Sequence, residues 1–191
     1  GWLNSAALRA LDLPHREGAL TEDDWFAVFG RLDELPGAEA RGDAAMAEAV
    51  RQASSKGLVG IVDMELAANY RDWPRRFGSG ITGLRVRGAT YADHLDEVIA
   101  HGLRSGESLA GGEGLLEMGP LKIISDGSLN TGTAYCCEPY AATSGSRPGR
   151  GQHNLTQESL EQLLRTAYDA GLEAAVHAIG DAAFSGALDA F

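Results

Sequence analysis

Cysteine is almost missing from this chain. The two present, Cys136 and Cys137, are adjacent, and neighbouring cysteines cannot staple distant segments, so no disulfide framework holds the fold. Basic charge is also scarce: 16 lysines and arginines stand against 27 aspartates and glutamates, a formal net charge of −11. That balance argues against a nucleic-acid surface and against anionic membranes as partners. No apolar run approaches the roughly 20 residues of a membrane-crossing helix, and no basic leader with an apolar stretch opens the sequence. A cytoplasmic location is the expectation. The glycine runs Gly78-Ser79-Gly80 and Gly111-Gly112-Glu113-Gly114 lack the spacing of a phosphate loop. An initiating methionine is lacking too. The opening Gly1-Trp2 suggests a piece of a longer polypeptide.

What is present is enough for a folded domain. Hydrophobic residues make up 44% of 191, too many for a disordered chain. Residues 1–56 read as a helical entry segment. Asn4-Ser5 can cap a helix over Ala6 to Leu11, ended by Pro14. Thr21-Glu22-Asp23-Asp24 opens a second helix with an apolar stripe of Trp25, Phe26, Phe29 and Leu32, broken at Pro36-Gly37. Asp43 to Ser55 is a third. From residue 57 the rhythm changes to short apolar runs alternating with helical periodicity. Strands are expected at Leu58–Glu65, Gly83–Arg87, Leu115–Ser125 and Leu172–Ala178. Helices are expected at Asn69–Phe77 (interrupted at Pro74), Tyr91–Gly102, from Thr156 to Gly171, and from Asp181 onward. Such alternation implies βα units on a parallel sheet. The turn-rich stretch Asp126–Asn154 is far longer than most connections, which points to functional use.

Two strands carry chemistry. Alternation puts Lys122, Ile124 and Asp126 on one face of the third strand. A lysine in an apolar run must snorkel, pair, lose its proton or be used chemically. His177 stands where the fourth strand should finish. A lysine near one strand end and a histidine at the next is the pattern of an α/β-barrel mouth.

The residues around them resemble a known family. Gly119-Pro120-Leu121-Lys122-Ile123-Ile124-Ser125-Asp126-Gly127-Ser128-Leu129 looks like the lysine-strand motif of the amidohydrolase superfamily, and most closely that of its amidohydrolase-3 branch, which includes N-substituted formamide deformylases. Thr133-Ala134 and Glu138-Pro139-Tyr140 continue that pattern. Val176-His177-Ala178-Ile179-Gly180-Asp181 resembles a second motif, and Trp2-Leu3-Asn4-Ser5-Ala6-Ala7-Leu8 a third near the front. The resemblance implies an α/β fold: a partial TIM-type (β/α)8 barrel of about four parallel βα units, strands two to five, preceded by the helical segment, with 57–191 as the barrel part. It implies hydrolysis of a C–N bond in a small-molecule amide or formamide-like substrate by metal-activated water. One or two divalent ions, zinc first among the candidates, would be the cofactor. Lys122, carboxylated on its side-chain nitrogen, and His177 would be metal ligands, with Asp126 and Asp181 in support. The family's His-x-His pair is not present, and Gly132 and Ala182 stand where arginine is common. TIM barrels need about 250 residues. This chain is therefore expected to be the middle of a longer enzyme and inactive alone.

Each residue has a plainer reading as well. Lys122 can reach solvent at the strand end, and His177 can be a hydrogen-bonded core histidine. Asp126 is either an ion-pair partner of Lys122 or a turn residue. Asp181 is either the N-cap of the helix after Gly180 or a support for His177. Asp63 and Glu65 read as solvated strand-end carboxylates, Cys136 and Cys137 as buried small apolar residues, and His94 with His101 as a surface stripe. Two other functions stay open: a metal-free barrel enzyme using Lys122 as a Schiff-base amine, and a non-catalytic module that self-associates into a homo-oligomer through open sheet edges.

Overall fold

The computed structural model of the protein describes residues 1–20, 22–141 and 149–191, apart from the side chains of Glu22 and Asp23. The part expected of Thr21 in opening the second helix lies outside the described residues, as does the 142–148 portion of the long turn-rich stretch. The chain divides into two compact units, Gly1–Lys56 and Gly57–Phe191.

The first unit holds α1 (Ser5–Ala10), α2 (Glu22–Phe29), a 3-10 turn at Leu32–Glu34 and α3 (Ala38–Ser55). Asn4 caps α1, its Oδ1 accepting from Ala7 N at 2.8 Å, which satisfies one donor that a helix start leaves open. α3 begins at Ala38, ahead of the expected Asp43. Gly37, at φ 68°, turns the chain left-handed straight into it. The core gathers Leu11, Leu20 and Val28, with Trp25, Leu32 and Leu35 packed against them. Of the expected stripe, Trp25 and Leu32 pack on this core, whereas Phe26 is exposed and Val28 is buried instead.

The second unit alternates β1 (Gly60–Asp63), α4 (Asn69–Gly78), β2 (Arg85–Thr90), α5 (Ala92–Ala100), β3 (Leu116–Ile124), α6 (Gln157–Asp169), β4 (Ala174–His177) and α7 (Asp181–Ala190). All pairings are parallel, in the order β1-β2-β3-β4. This is the expected partial barrel of βα units. Leu172 and Glu173 precede β4 rather than belonging to it, and β2 runs on to Thr90. Pro74 does not end α4; it removes one intrahelical donor, and the buried Tyr70, Trp73 and Phe77 hold the helix on the sheet. Thr156 caps α6, its hydroxyl accepting from Ser159 N at 3.2 Å.

One irregularity fixes which way the central strand faces. Gly88 pairs with Met118 but Thr90 with Leu121, so β3 takes three steps where β2 takes two. The extra residue is a bulge at Gly119-Pro120. Proline has no ladder donor to lose there. A Cβ on Gly119 would stand 2.7 Å from the Gly88 carbonyl, so glycine lets the two backbones approach. Before the bulge Leu116 and Met118 are buried under the helices, and after it Leu121 and Ile123 are. Lys122 and Ile124 therefore turn to the opposite, inner face. Without the bulge, alternation from Glu117 would send Lys122 into the helix layer.

Candidate active site

The pairing of β3 with β4 matches Lys122 to Ala175 and Ile124 to His177. Partners in a parallel ladder share a face, so Lys122 and His177 both lie on the inner face, diagonally across one strand gap. A rise of about 3.3 Å per residue and a spacing of about 4.8 Å put their Cα atoms roughly 8 Å apart. Lys122 is half-buried, and burial pushes its amine below the ordinary lysine range. Among the described residues it has no hydrogen-bond or ion-pair partner.

His177 is held from β3's end. Its backbone carbonyl accepts from Ser125 twice, from Oγ at 2.6 Å and from N at 3.0 Å. Its Nε2 lies 3.0 Å from Gly127 O and 3.6 Å from Asp126 Oδ1. A carbonyl only accepts, so Nε2 donates, and in the neutral ring this leaves Nδ1 as the acceptor. Nδ1 has no partner among the described residues.

Asp126 is the residue whose role changes most. It does not pair with Lys122, as one expectation had it. The strand ends at Ile124, so alternation no longer applies two residues later. Its carboxylate is fully buried and takes three backbone donors: Ile179 N at 3.0 Å on Oδ1, and Gly180 N at 2.7 Å and Tyr135 N at 2.9 Å on Oδ2. It thus binds the β4–α7 turn and the long loop to one point. The described flanks of that loop fold down on the same rim. Asp126 bridges His153, the rings of Tyr135 and His153 stack at 4.7 Å and 8°, and Ala183 N donates to Tyr135 O at 3.2 Å.

Asp181 makes neither of the contacts expected of it. Gly180 occupies the N-cap of α7, and Asp181 is its first helical residue. Oδ1 accepts from Cys137 N at 2.8 Å and from Ala182 N at 2.9 Å, a second staple between loop and helix. The Cys137 N–H, ahead of the Ala182 N–H, holds the Asp181 carboxyl below the ordinary carboxylate range. A folded-state pKa below the unfolded one contributes stability at neutral pH that fades as pH falls through the folded value. Asp181→Asn is thus expected to be less stable than wild type at pH 7. Its deficit should shrink steadily as pH falls below the ordinary carboxylate range. Thermal melts from pH 7 down to 3 measure this, and a constant gap between the two proteins would contradict it.

Two other expectations are corrected. Asp63 is not solvated: it is buried on the helix side, where Oδ2 accepts the Trp73 indole N–H at 2.8 Å and Oδ1 the Glu65 N–H at 3.0 Å. Cys136 is only half-buried and Cys137 is exposed, so they are not core residues. The rim also depends on residues the sequence reading passed over, namely Ser125, Tyr135, Gly127 and Gly180. The signal for the glycines was their place inside both motifs. A Cβ on Gly180 would meet Tyr135 O at 1.9 Å, and one on Gly127 would meet Thr133 Oγ1 at 2.0 Å.

The sequence pattern of the amidohydrolase family matches residues 2–191. The chain belongs to the amidohydrolase family. Over 75 residues, 39% of this chain, it is 44% identical to YtcJ of Bacillus subtilis (strain 168), a protein named provisionally as an amidohydrolase, of which the match spans 14%. Its fold is shared with two solved structures of uncharacterised metal-dependent hydrolases. The one from Pyrococcus furiosus superposes with a TM-score of 0.74 at 20% identity, over 98% of this chain and 40% of that one. The other, from Pyrococcus horikoshii OT3, gives 0.72 at 23% identity, over 98% and 39%. The chain therefore spans less than half the length of these relatives. No helix among the described residues is long and apolar enough to cross a membrane.

For a family chain of this kind, the donors on the inner face can be tested against a metal ion. Lys122 and His177 suit one chemically: an unpartnered, desolvated amine and an imidazole with a free nitrogen. They fill only part of a donor set. Among the described residues no three His, Cys, Asp or Glu side chains gather to hold an ion.

Proposed function

We propose that this chain supplies two ligands, Lys122 and His177, to the metal site of a hydrolase that cleaves a C–N bond in a small amide or formamide-like molecule. The observation that carries the reading is the lysine. Its amine sits half-buried on the inner face of a parallel sheet, with burial lowering its pKa and no partner to repay the cost, one strand from a histidine with a free Nδ1. Family membership and the names of the Pyrococcus relatives favour metal-dependent hydrolysis over other uses of such a pair.

A depressed amine pKa leaves more of the nucleophilic free base, which can add carbon dioxide. The N–C bond forms, one proton leaves, and the cation becomes an anionic oxygen donor. Together with imidazole that donor set suits zinc. When bound, a divalent ion acidifies water and polarises the substrate carbonyl. The chain's own residues do the rest: Ser125, Asp126 and Gly127 fix His177, and Tyr135 and His153 pack on the same rim.

Equilibrating the chain with zinc and bicarbonate, then measuring bound metal, tests this directly. Weak uptake near one ion per chain is expected, lost in Lys122→Ala and in His177→Ala. The chain alone should show no turnover of N-formyl or N-acyl amines with zinc or manganese. Uptake unchanged in both variants, or robust turnover by these 191 residues, would overturn the reading. Trapping of a carbonyl compound on Lys122 by borohydride would point to a Schiff-base enzyme instead.

The sheet edges favour one further property. β1 and β4 end the described sheet. Val59 just before β1, Val62 within it, and Phe184, Leu188 and Phe191 on and after α7, are exposed. Open edges flanked by apolar side chains invite pairing with another copy. Light scattering should find concentration-dependent association.

A further inference from the structure

Three consecutive residues after β3, Ser125, Asp126 and Gly127, each grip His177 or the turn that follows it. Ser125 takes the His177 carbonyl with both its N–H and its hydroxyl. Asp126 takes the amides of Ile179 and Gly180, two and three residues further on. Gly127 offers its carbonyl to the imidazole Nε2 at 3.0 Å, with Asp126 Oδ1 behind it at 3.6 Å. The backbone before the ring, the backbone after it and the ring itself are thus fixed from one tripeptide.

We propose that Ser125-Asp126-Gly127 is a clasp whose central residue, Asp126, is a positioning residue. It sets the orientation and tautomer of His177 so that the hydrogen stays on Nε2 and the Nδ1 lone pair faces the inner side of the sheet. Asp126 is fully buried and makes no hydrogen bond or ion pair with Lys122. It acts by fixing where Gly127 O and the Ile179-Gly180 turn stand relative to the ring. An imidazole that donates one N–H to a fixed carbonyl binds metal better through the other nitrogen, and removing such a partner costs about 10–100-fold in affinity. That Nδ1 meets a metal rests on the functional reading above; the tautomer and the clasp rest on the hydrogen bonds alone.

The test is long-range 15N NMR of the histidine rings in the full chain, with His177→Gln to assign the signal and zinc alone as the probe. Wild type is expected to show a single Nε2-protonated tautomer, together with slow hydrogen exchange at the Ile179, Gly180 and Tyr135 amides. In Asp126→Asn one oxygen becomes an NH2 facing N–H donors. His177 should then shift to a mixture of tautomers, and zinc binding should weaken about tenfold or more. Asp181→Asn removes a rim contact outside the clasp and should leave the tautomer unchanged. A wild-type ring protonated on Nδ1, fast exchange at the three amides, or a folded Asp126→Asn with an unchanged tautomer overturns the proposal. If Asp126→Asn does not fold, the wild-type spectrum and exchange rates decide. A clasped Nε2–H ring that takes up no zinc sinks the metal reading and spares the clasp. Zinc affinity untouched by Asp126→Asn does the reverse.

Discussion

Replacing Asp126 with alanine is expected to lower the stability of the second unit by about 3–5 kcal/mol. The carboxylate is fully buried and accepts from Tyr135, Ile179 and Gly180. Alanine leaves those three amides without an acceptor, the Gly180 bond being buried and the other two part-buried. Each unsatisfied buried donor costs about 1–3 kcal/mol, and the Gly180 amide, the most enclosed, sits at the high end. Against the roughly 5–15 kcal/mol that holds an ordinary domain, this is a large share of the total. Urea denaturation followed by Trp73 fluorescence and far-UV circular dichroism measures it. A loss below about 1 kcal/mol would mean that water reaches the amides and that the rim is not built on this carboxylate.

Gly180→Ala should cost nearly as much, for a different reason. Gly180 has φ −68° and ψ 147°, a conformation alanine adopts without strain. Entropy of the unfolded chain alone would therefore favour alanine by about 0.4–1 kcal/mol. The new Cβ, however, would stand 1.9 Å from Tyr135 O and 2.3 Å from Tyr135 C. These are backbone atoms that cannot swing aside. The clash outweighs the entropy, and a net loss of about 2–3 kcal/mol is expected. The loop must lift at Tyr135, breaking the Ala183 N to Tyr135 O bond of 3.2 Å. Faster exchange at the Ala183 amide should accompany the lower melting temperature. A neutral or stabilising substitution would show that the loop does not rest on this turn.

These two residues also mark what could be read in advance. Helices and strands of the second unit were legible because periodicity is local: each run of side chains reports its own burial. The strand boundaries slipped at β2, since Gly88 is a poor strand former held in place by Asn69, whose Cβ leaves only 2.9 Å for one on Gly88. Phe26 was misplaced because a short helix with apolar residues on most sides, Trp25, Phe26, Val28 and Phe29, admits two stripes. Asp63 was misread because nothing near it in sequence announces the Trp73 indole.

By itself the sequence determined the alternation of βα units and the kinship of the chain, and it singled out Lys122 and His177 as candidate site residues. These follow from composition, spacing and short motifs, all carried along the chain. The tertiary structure alone decided that a bulge at Gly119-Pro120 turns Lys122 inward. It also decided that Asp126 serves the backbone amides of Tyr135, Ile179 and Gly180 rather than Lys122, and that Asp181 fastens the loop at Cys137 to the start of α7. Those outcomes depend on strand register and on partners distant in sequence, and hydrogen bonds between distant residues leave no periodicity behind.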